Sequence, residues 1–298
     1  MLRSILVPVD QSPLAERAIP VAGEIARRNA AVVHIVLAHE GIGWILALGQ
    51  PVVMPGQVDA DLQLERSAYL QAVAARLMRE SGVATHWSVL QGPPAIAIDR
   101  YAREHDIDLV VMTTHGRGGL ARAWLGSTTD ALLRLANVPL LLVRGTMPVP
   151  IGRFDRVLAA LDGSPTAERA LAAAAQLRGD GRCTLLQVIA PRMAYPSHYI
   201  PDMDEQKAAV RAYLDCIGGR IRREWKEVST RVVDSQDVAE TILSQAGDVG
   251  ANLLVVGTHA RTPVMRAMVG SVADKVIRGA DIAVLVAPPA EAQEGRSG

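Results

Sequence analysis

Leu109-Val110-Val111-Met112-Thr113-Thr114-His115, running on to Gly126-Ser127 and Asp130, decides how this chain is read, because it occurs twice. The second copy opens with Leu253-Leu254-Val255-Val256 and closes with Gly270-Ser271 and Asp274. Thr114-His115 matches Thr258-His259, Arg117 matches Arg261, and Arg122 matches Arg266. All keep one offset, 259 − 115 = 144 residues. In each copy an apolar strand runs into a glycine-containing loop and then a Gly-Ser helix start. Backbone N–H groups at a helix N-terminus lack intrahelical partners, and the helix dipole favours an anion there. The arrangement suits phosphate.

Working outward, the two halves also share their beginnings. Asp10 and Ser12-Pro13-Leu14-Ala15-Glu16-Arg17-Ala18 correspond to Asp162 and Ser164-Pro165-Thr166-Ala167-Glu168-Arg169-Ala170, at an offset of 162 − 10 = 152. The second repeat is therefore eight residues shorter between its first and second helices, since 152 − 144 = 8. Serine is a favoured N-cap and proline at the first helical position loses no needed donor, so each apolar first strand, such as Ser4 to Val9, leads into a helix. Second strands are expected at Val32 to Ala38 and Thr184 to Ile189. Second helices fall at Asp59 to Ser81 and Asp202 to Val228. Third strands fall near Thr85 to Leu90 and Ser229 to Val233, third helices at Pro94 to Glu104 and Val238 to Val249, and fifth strands at Pro139 to Val143 and Ala283 to Ala287.

Five strands alternating with four helices, twice over, predict an α/β fold of two tandem doubly wound domains with parallel sheets. The domains are placed at residues 1–144 and 156–287, with a linker at 145–155 and a polar tail at 288–298. In such sheets the ligand sits beyond the carboxyl ends of the strands, where strand order reverses. A chain of 298 residues, 49 % apolar with one Phe, is long enough for two aliphatic cores. Thirty-one basic and 31 acidic residues give no net charge, which argues against nucleic acid as a partner. No apolar run is long enough to span a bilayer and no leader precedes the first strand, so a cytoplasmic protein without membrane contact is expected. Cys183 and Cys216 are read as core residues rather than a disulfide framework.

At these residues the chain resembles the universal stress protein family in its tandem form. The resemblance rests on the strand-Asp-x-Ser start, on Gly92-Pro93-Pro94-Ala95, and on the loop after strand four, which in the ATP-binding branch reads G-x2-G-x9-G-[S/T]. It implies strand order 3-2-1-4-5, domains paired through strand five, and ATP in the crevice, with Mg²⁺ as an optional companion. Neither loop matches in full: Thr113 replaces the first glycine of domain one, and Ala260 the second of domain two. A β-branched Thr113 is the harder to fit where a bare backbone or positive φ is needed. The family's purine-side contact follows the second strand, read as Val188 in domain two and Glu40 in domain one, so domain two is the favoured site. Carried over, the nucleotide in domain two would meet Ala160, Leu161, Asp162, Val188, Val256, Gly257, Ala260, Gly270, Ser271 and Val272. In domain one it would meet Asp10, Gly116, Gly126 and Ser127.

Each assignment has a plainer alternative. Asp10 and Asp162 are either ligand contacts or helix-capping carboxylates, and the Gly-Ser pairs either bind an anion or only cap. His115 and His259 lack a definable nucleophile and orienting partner, so loop packing is the expected role and no catalytic residue is assigned. The four loop arginines are phosphate clamps or solvated side chains. Trp44 and Met54 form a lid, an interface, or a fold-back onto the domain. The expected function is an ATP-binding stress or regulatory protein without efficient catalysis, with slow hydrolysis left open and a homodimer allowed through strand-five edges. A scaffold with two decayed sites is the alternative. An adenylating enzyme is weaker, because those carry a Ser-Gly-Gly-rich loop where this chain has Asp10-Gln11-Ser12 and Asp162-Gly163-Ser164.

Overall fold

The computed structural model describes residues 1–40, 55–114, 125–144, 153–190, 202–258 and 270–287, less the side chains of 55–60 and 178–180. The chain divides into two compact units, Met1–Gly152 and Arg153–Gly298. Expectations about the Trp44/Met54 segment, the loop residues 115–124 and 259–269, most of the linker and the tail fall outside the described residues.

Unit one contains β1 (Ser4–Val9), α1 (Pro13–Glu16), α2 (Ala18–Asn29), β2 (Val32–His39), α3 (Pro55–Ser81), β3 (Thr85–Gln91), α4 (Pro94–Glu104), β4 (Leu109–Thr113), α5 (Ser127–Leu135) and β5 (Leu140–Val143). Its strands pair in parallel in the order β3-β2-β1-β4-β5. Unit two repeats the pattern with β6 (Phe154–Ala160), α6 (Pro165–Leu177), β7 (Arg178–Ile189), α7 (Met203–Ile221), β8 (Glu227–Asp234), α8 (Val238–Asp248), β9 (Leu253–Gly257), α9 (Ser271–Gly279) and β10 (Ala283–Ala287). Its strand order is β8-β7-β6-β9-β10. Both units thus have the expected doubly wound order 3-2-1-4-5.

The central strands are unbroken apolar runs because helices cover both faces of each sheet. Ile5, Leu6, Ile35, Leu141 and Leu142 are fully buried in unit one, as are Leu158, Leu185, Leu254 and Leu285 in unit two. Strands β3 and β8 are less covered, and Trp87 on β3 is 38 % exposed.

Local differences from the expected elements have identifiable causes. The first helix of unit one is split at Arg17, where Pro20 cannot donate to the Glu16 carbonyl one turn back and its ring crowds it. Unit two has Ala172 at that place, and α6 runs unbroken. The helix expected to reach Val228 ends at Ile221. Glu224 N–H turns back to the Ile221 carbonyl, Trp225 is buried, and Lys226 N–H joins the Gly181 carbonyl of β7. No glycine or proline stands between Ile221 and Val228 to mark that stop. Strand β7 starts at Arg178 rather than Thr184, with a register shift opposite Phe154 and Arg156. Helix α3 starts at Pro55, ahead of the expected Asp59, with proline in the first turn where its missing donor costs nothing.

Ala30 ends α2 in the left-handed region at φ 52°, with its N–H on the Ala26 carbonyl. A Cβ in that conformation is strained by about 1 kcal/mol, which glycine avoids. Ala30→Gly is therefore expected to raise the stability of unit one by about 1 kcal/mol, read as a higher urea midpoint at an unchanged slope.

Candidate functional site

In both units the carboxyl end of the first strand meets the start of the helix after the fourth. The connection begins with an aspartate. Asp10 Oδ1 accepts from Ser12 N–H at 3.0 Å and from the Ser12 hydroxyl at 2.5 Å, and Asp162 Oδ1 accepts from Ser164 N–H at 2.9 Å. The residue between is left-handed, Gln11 at φ 64° and Gly163 at φ 79°. Ser12 Oγ then accepts from Ala15 N–H at 3.1 Å, and Ser164 Oγ from Ala167 N–H at 3.2 Å. The helix cap is thus the serine, and the aspartate folds the turn that delivers it. The serine is the N-cap that its place before proline predicts, and the geometry sets aside the alternative in which the aspartate itself caps the helix.

Across from each aspartate, Gly126 and Gly270 are the N-caps of α5 and α9, with φ of −59° and −57° and no side-chain cap. Ser127 and Ser271 are the first helical residues. The Gly-Ser pair therefore leaves the first-turn N–H groups without a capping oxygen from the cap residue.

Between aspartate and helix start lies a cavity in each unit. In unit two it measures about 240 Å³, and Ala160, Leu161, Asp162, Val188, Val256, Gly257, Gly270, Ser271 and Val272 all line it. In unit one it measures about 280 Å³, and Asp10, Gly126 and Ser127 line it together with Thr113, Thr128 and Ala38. Every described candidate residue is brought to one of the two cavities. Gly116 and Ala260 lie outside the described residues, as do His115, His259, Arg117, Arg122, Arg261 and Arg266.

Two asymmetries expected from sequence change on inspection. Strand register pairs Leu6 with His34 and Leu158 with Thr184, so β2 and β7 are related by 184 − 34 = 150. Val188 therefore corresponds to Ala38, not Glu40, and both line their cavities. The position that the resemblance assigns to a purine contact is apolar in both units, and Glu40 is an exposed residue beyond it. Two of the eight missing residues precede the second strand and six follow it. The second asymmetry concerns glycine. Gly257 does not need a positive φ; a Cβ there would meet Ala167 N at 2.8 Å and Ala167 Cα at 3.0 Å. Glycine is present because the first turn of α6 lies against the strand end. In unit one, Thr113 is buried and accommodated, its carbonyl accepting from the Thr129 hydroxyl at 3.4 Å.

Behind each aspartate stands a polar network that sequence reasoning passed over. Tyr69 donates to Glu16 at 2.9 Å and Arg76 pairs with the same carboxylate at 2.5 Å. In unit two Tyr213 donates to Glu168 at 3.3 Å and Arg220 pairs with it at 2.5 Å. Burial first, then the adjacent carboxylate, pushes both phenols up, with Asp10 or Asp162 adding to the effect. The phenols thus stay protonated donors. The signal was present, since Glu16/Glu168, Tyr69/Tyr213 and Arg76/Arg220 all recur at the repeat offsets. Cys183 is buried, its thiol pushed up to about 12 by burial, and so is unreactive. Cys216 is exposed on α7, contrary to the core reading. Among the described residues no group of His, Cys, Asp and Glu is arranged to hold a metal, and no helix is long and apolar enough to cross a membrane.

A duplicated doubly wound module, with a cavity at each switch point, defines the class of protein. The universal stress protein family model matches residues 1–144 and again 153–288. The chain belongs to the universal stress protein family, in its tandem form. A universal stress protein of Mycobacterium tuberculosis is 28 % identical over 293 residues, covering 95 % of both chains. One from Thermus aquaticus is 34 % identical over 145 residues, 48 % of this chain and all of its own. A further M. tuberculosis relative is 30 % identical over 192 residues; that match spans 61 % of this chain and only 62 % of the relative's length. Among solved structures, a universal stress protein from Archaeoglobus fulgidus superposes with a TM-score of 0.74 at 20 % identity, covering 96 % of this chain and 98 % of its own. At that identity the likeness speaks for the fold.

Proposed function

We propose that this protein is an adenine-nucleotide-binding stress-response regulator without efficient catalysis, with one site per unit and unit two as the principal one. Family membership supports the stress-response role. One observation carries the nucleotide reading: in both units a helix start with no side-chain cap faces, across a cavity, an aspartate at the end of the first strand. Such a helix start suits phosphate, the carboxylate suits ribose or purine donors, and Ala38 or Val188 supplies an apolar wall for a base. Volumes of 240 and 280 Å³ fall just below ordinary ligand pockets of about 300–1,000 Å³, a size for one nucleoside with its phosphates along the helix start. If Mg²⁺ accompanies ATP, the phosphates and water supply its ligands. Bound nucleotide would act by stabilising one conformation or assembly, including a homodimer through strand-five edges.

The test is mass spectrometry of small molecules released on denaturation, followed by ATP titration of wild type, Gly270→Val and Gly126→Val. Release of ATP or ADP, with binding weakened at least tenfold in Gly270→Val, is the expected result. Loss only in Gly126→Val moves the site to unit one. No release and no binding replaces this reading with a scaffold.

A further inference from the structure

Unit one contains a histidine cluster at positions where unit two has no histidine. His34 on β2 is buried, 8 % exposed, and its Nδ1 lies 3.1 Å from the Tyr101 hydroxyl of α4. Its ring centroid is 5.3 Å from that of His86, its register partner on β3, and 5.9 Å from that of His105 just past α4. Tyr101 and His105 are stacked at 3.8 Å. In unit two the counterpart of the His34–His86 pair is Thr184 and Ser229, joined by a hydroxyl hydrogen bond of 3.1 Å. Gln245 and Val249 stand where Tyr101 and His105 would be, at 144 residues' distance. None of the four ionises in the physiological range.

We propose that unit one is the acid-sensitive half of the chain, protonation of the His34 cluster loosening α4 from β2 and β3 while unit two stays closed. An imidazole becomes a cation as the medium turns acidic. At His34 that charge would sit in a buried site facing two more imidazoles. From β1 its register partner is Leu6, from β3 His86, and from α4 Tyr101 and His105. The carboxylates of α4 are engaged elsewhere, Asp99 by Arg103 and Glu104 by Arg100. The face of His105 stacked on Tyr101 accommodates a cation, but the buried centre does not. Burial first, then repulsion from His86 and His105, pushes the His34 pKa down to about 4. An unfolded histidine titrates near 6.5, so the unfolded chain binds this proton more readily. The stability held by neutral His34 is complete above about pH 6.5 and is lost as pH falls from there toward 4. The consequence reaches the cavity, because Pro94 and Ile98 of α4 form its wall with Ala38 of β2.

Amide hydrogen exchange by mass spectrometry on the full chain without nucleotide, at about pH 7 and about pH 5 and corrected for intrinsic rates, tests this. Protection of peptides from α4 and β2 is expected to fall on the order of tenfold more than that of α8 and β7. The variant with His34→Thr and His86→Ser, the residues unit two carries, is expected to lose that difference. An equal fall in both units, or an undiminished difference in the variant, overturns the proposal. Should the variant not fold, proton NMR of the wild-type imidazoles decides. A His34 titrating near 6.5 overturns the proposal, and one neutral well below that supports it.

Discussion

Gly257→Thr, which places in unit two the residue unit one carries at that position, is expected to destabilise unit two by about 3 kcal/mol, the upper part of the overpacking range. A new Cβ would stand 2.8 Å from Ala167 N and 3.2 Å from the Thr166 carbonyl carbon. These are backbone atoms in the first turn of α6, so no rotamer change relieves the contact. The helix must move, and with it the Ser164 cap and the Asp162 turn. Urea unfolding reports the size, and hydrogen exchange assigns the loss to α6 and β9. The reverse change, Thr113→Gly, removes a buried strand side chain without such a clash and is expected to cost about 1 kcal/mol. A Gly257→Thr midpoint equal to wild type would mean that close approach is not why glycine stands there.

Trp225→Ala should cost about 3–5 kcal/mol, the range for emptying a buried aromatic site. Trp225 is 4 % exposed and sits between α7 and β8, where the chain leaves the helix to join the sheet. Its removal empties a buried site where the chain enters β8 and leaves the register of β8 with less to fix it. Against a typical domain stability of 5–15 kcal/mol this is a large share, so unit two should melt first in calorimetry while unit one is unchanged. Trp225→Phe should recover most of the loss. A Trp225→Ala midpoint within error of wild type would show that the turn, not the indole, holds the strand.

Most of the fold was legible because its signals are local and doubled. The apolar runs at Leu109 and Leu253, the Ser-Pro helix starts and the Gly-Ser pairs each state an element and its boundary. Repetition then fixed which elements correspond. What escaped was set by tertiary contact. Nothing between Arg222 and Val228 marks the end of α7, because burial of Trp225 ends it. Polar Arg178 to Arg182 carry no strand pattern, yet they pair with β6. In the site, the residues at strand ends could be placed from spacing alone, but the match of Val188 to Ala38 needed strand register. The tyrosine–glutamate–arginine networks join residues 45 to 60 positions apart, and only the repeat offset hinted at them.

Strands β3 and β8, each at one edge of its own unit's sheet, differ in a way that bears on solubility. Strand β8 carries Glu227, Arg231 and Asp234, whereas β3, Thr85-His86-Trp87-Ser88-Val89-Leu90-Gln91, has no formal charge at neutral pH. Charged side chains on an outer strand deter a second chain from adding to it, and an uncharged one with an exposed tryptophan offers no such deterrent. At high concentration and neutral pH, intermolecular strand addition should therefore involve β3 before β8. A single lysine at Ser88 should delay precipitation more than any charge added to β8.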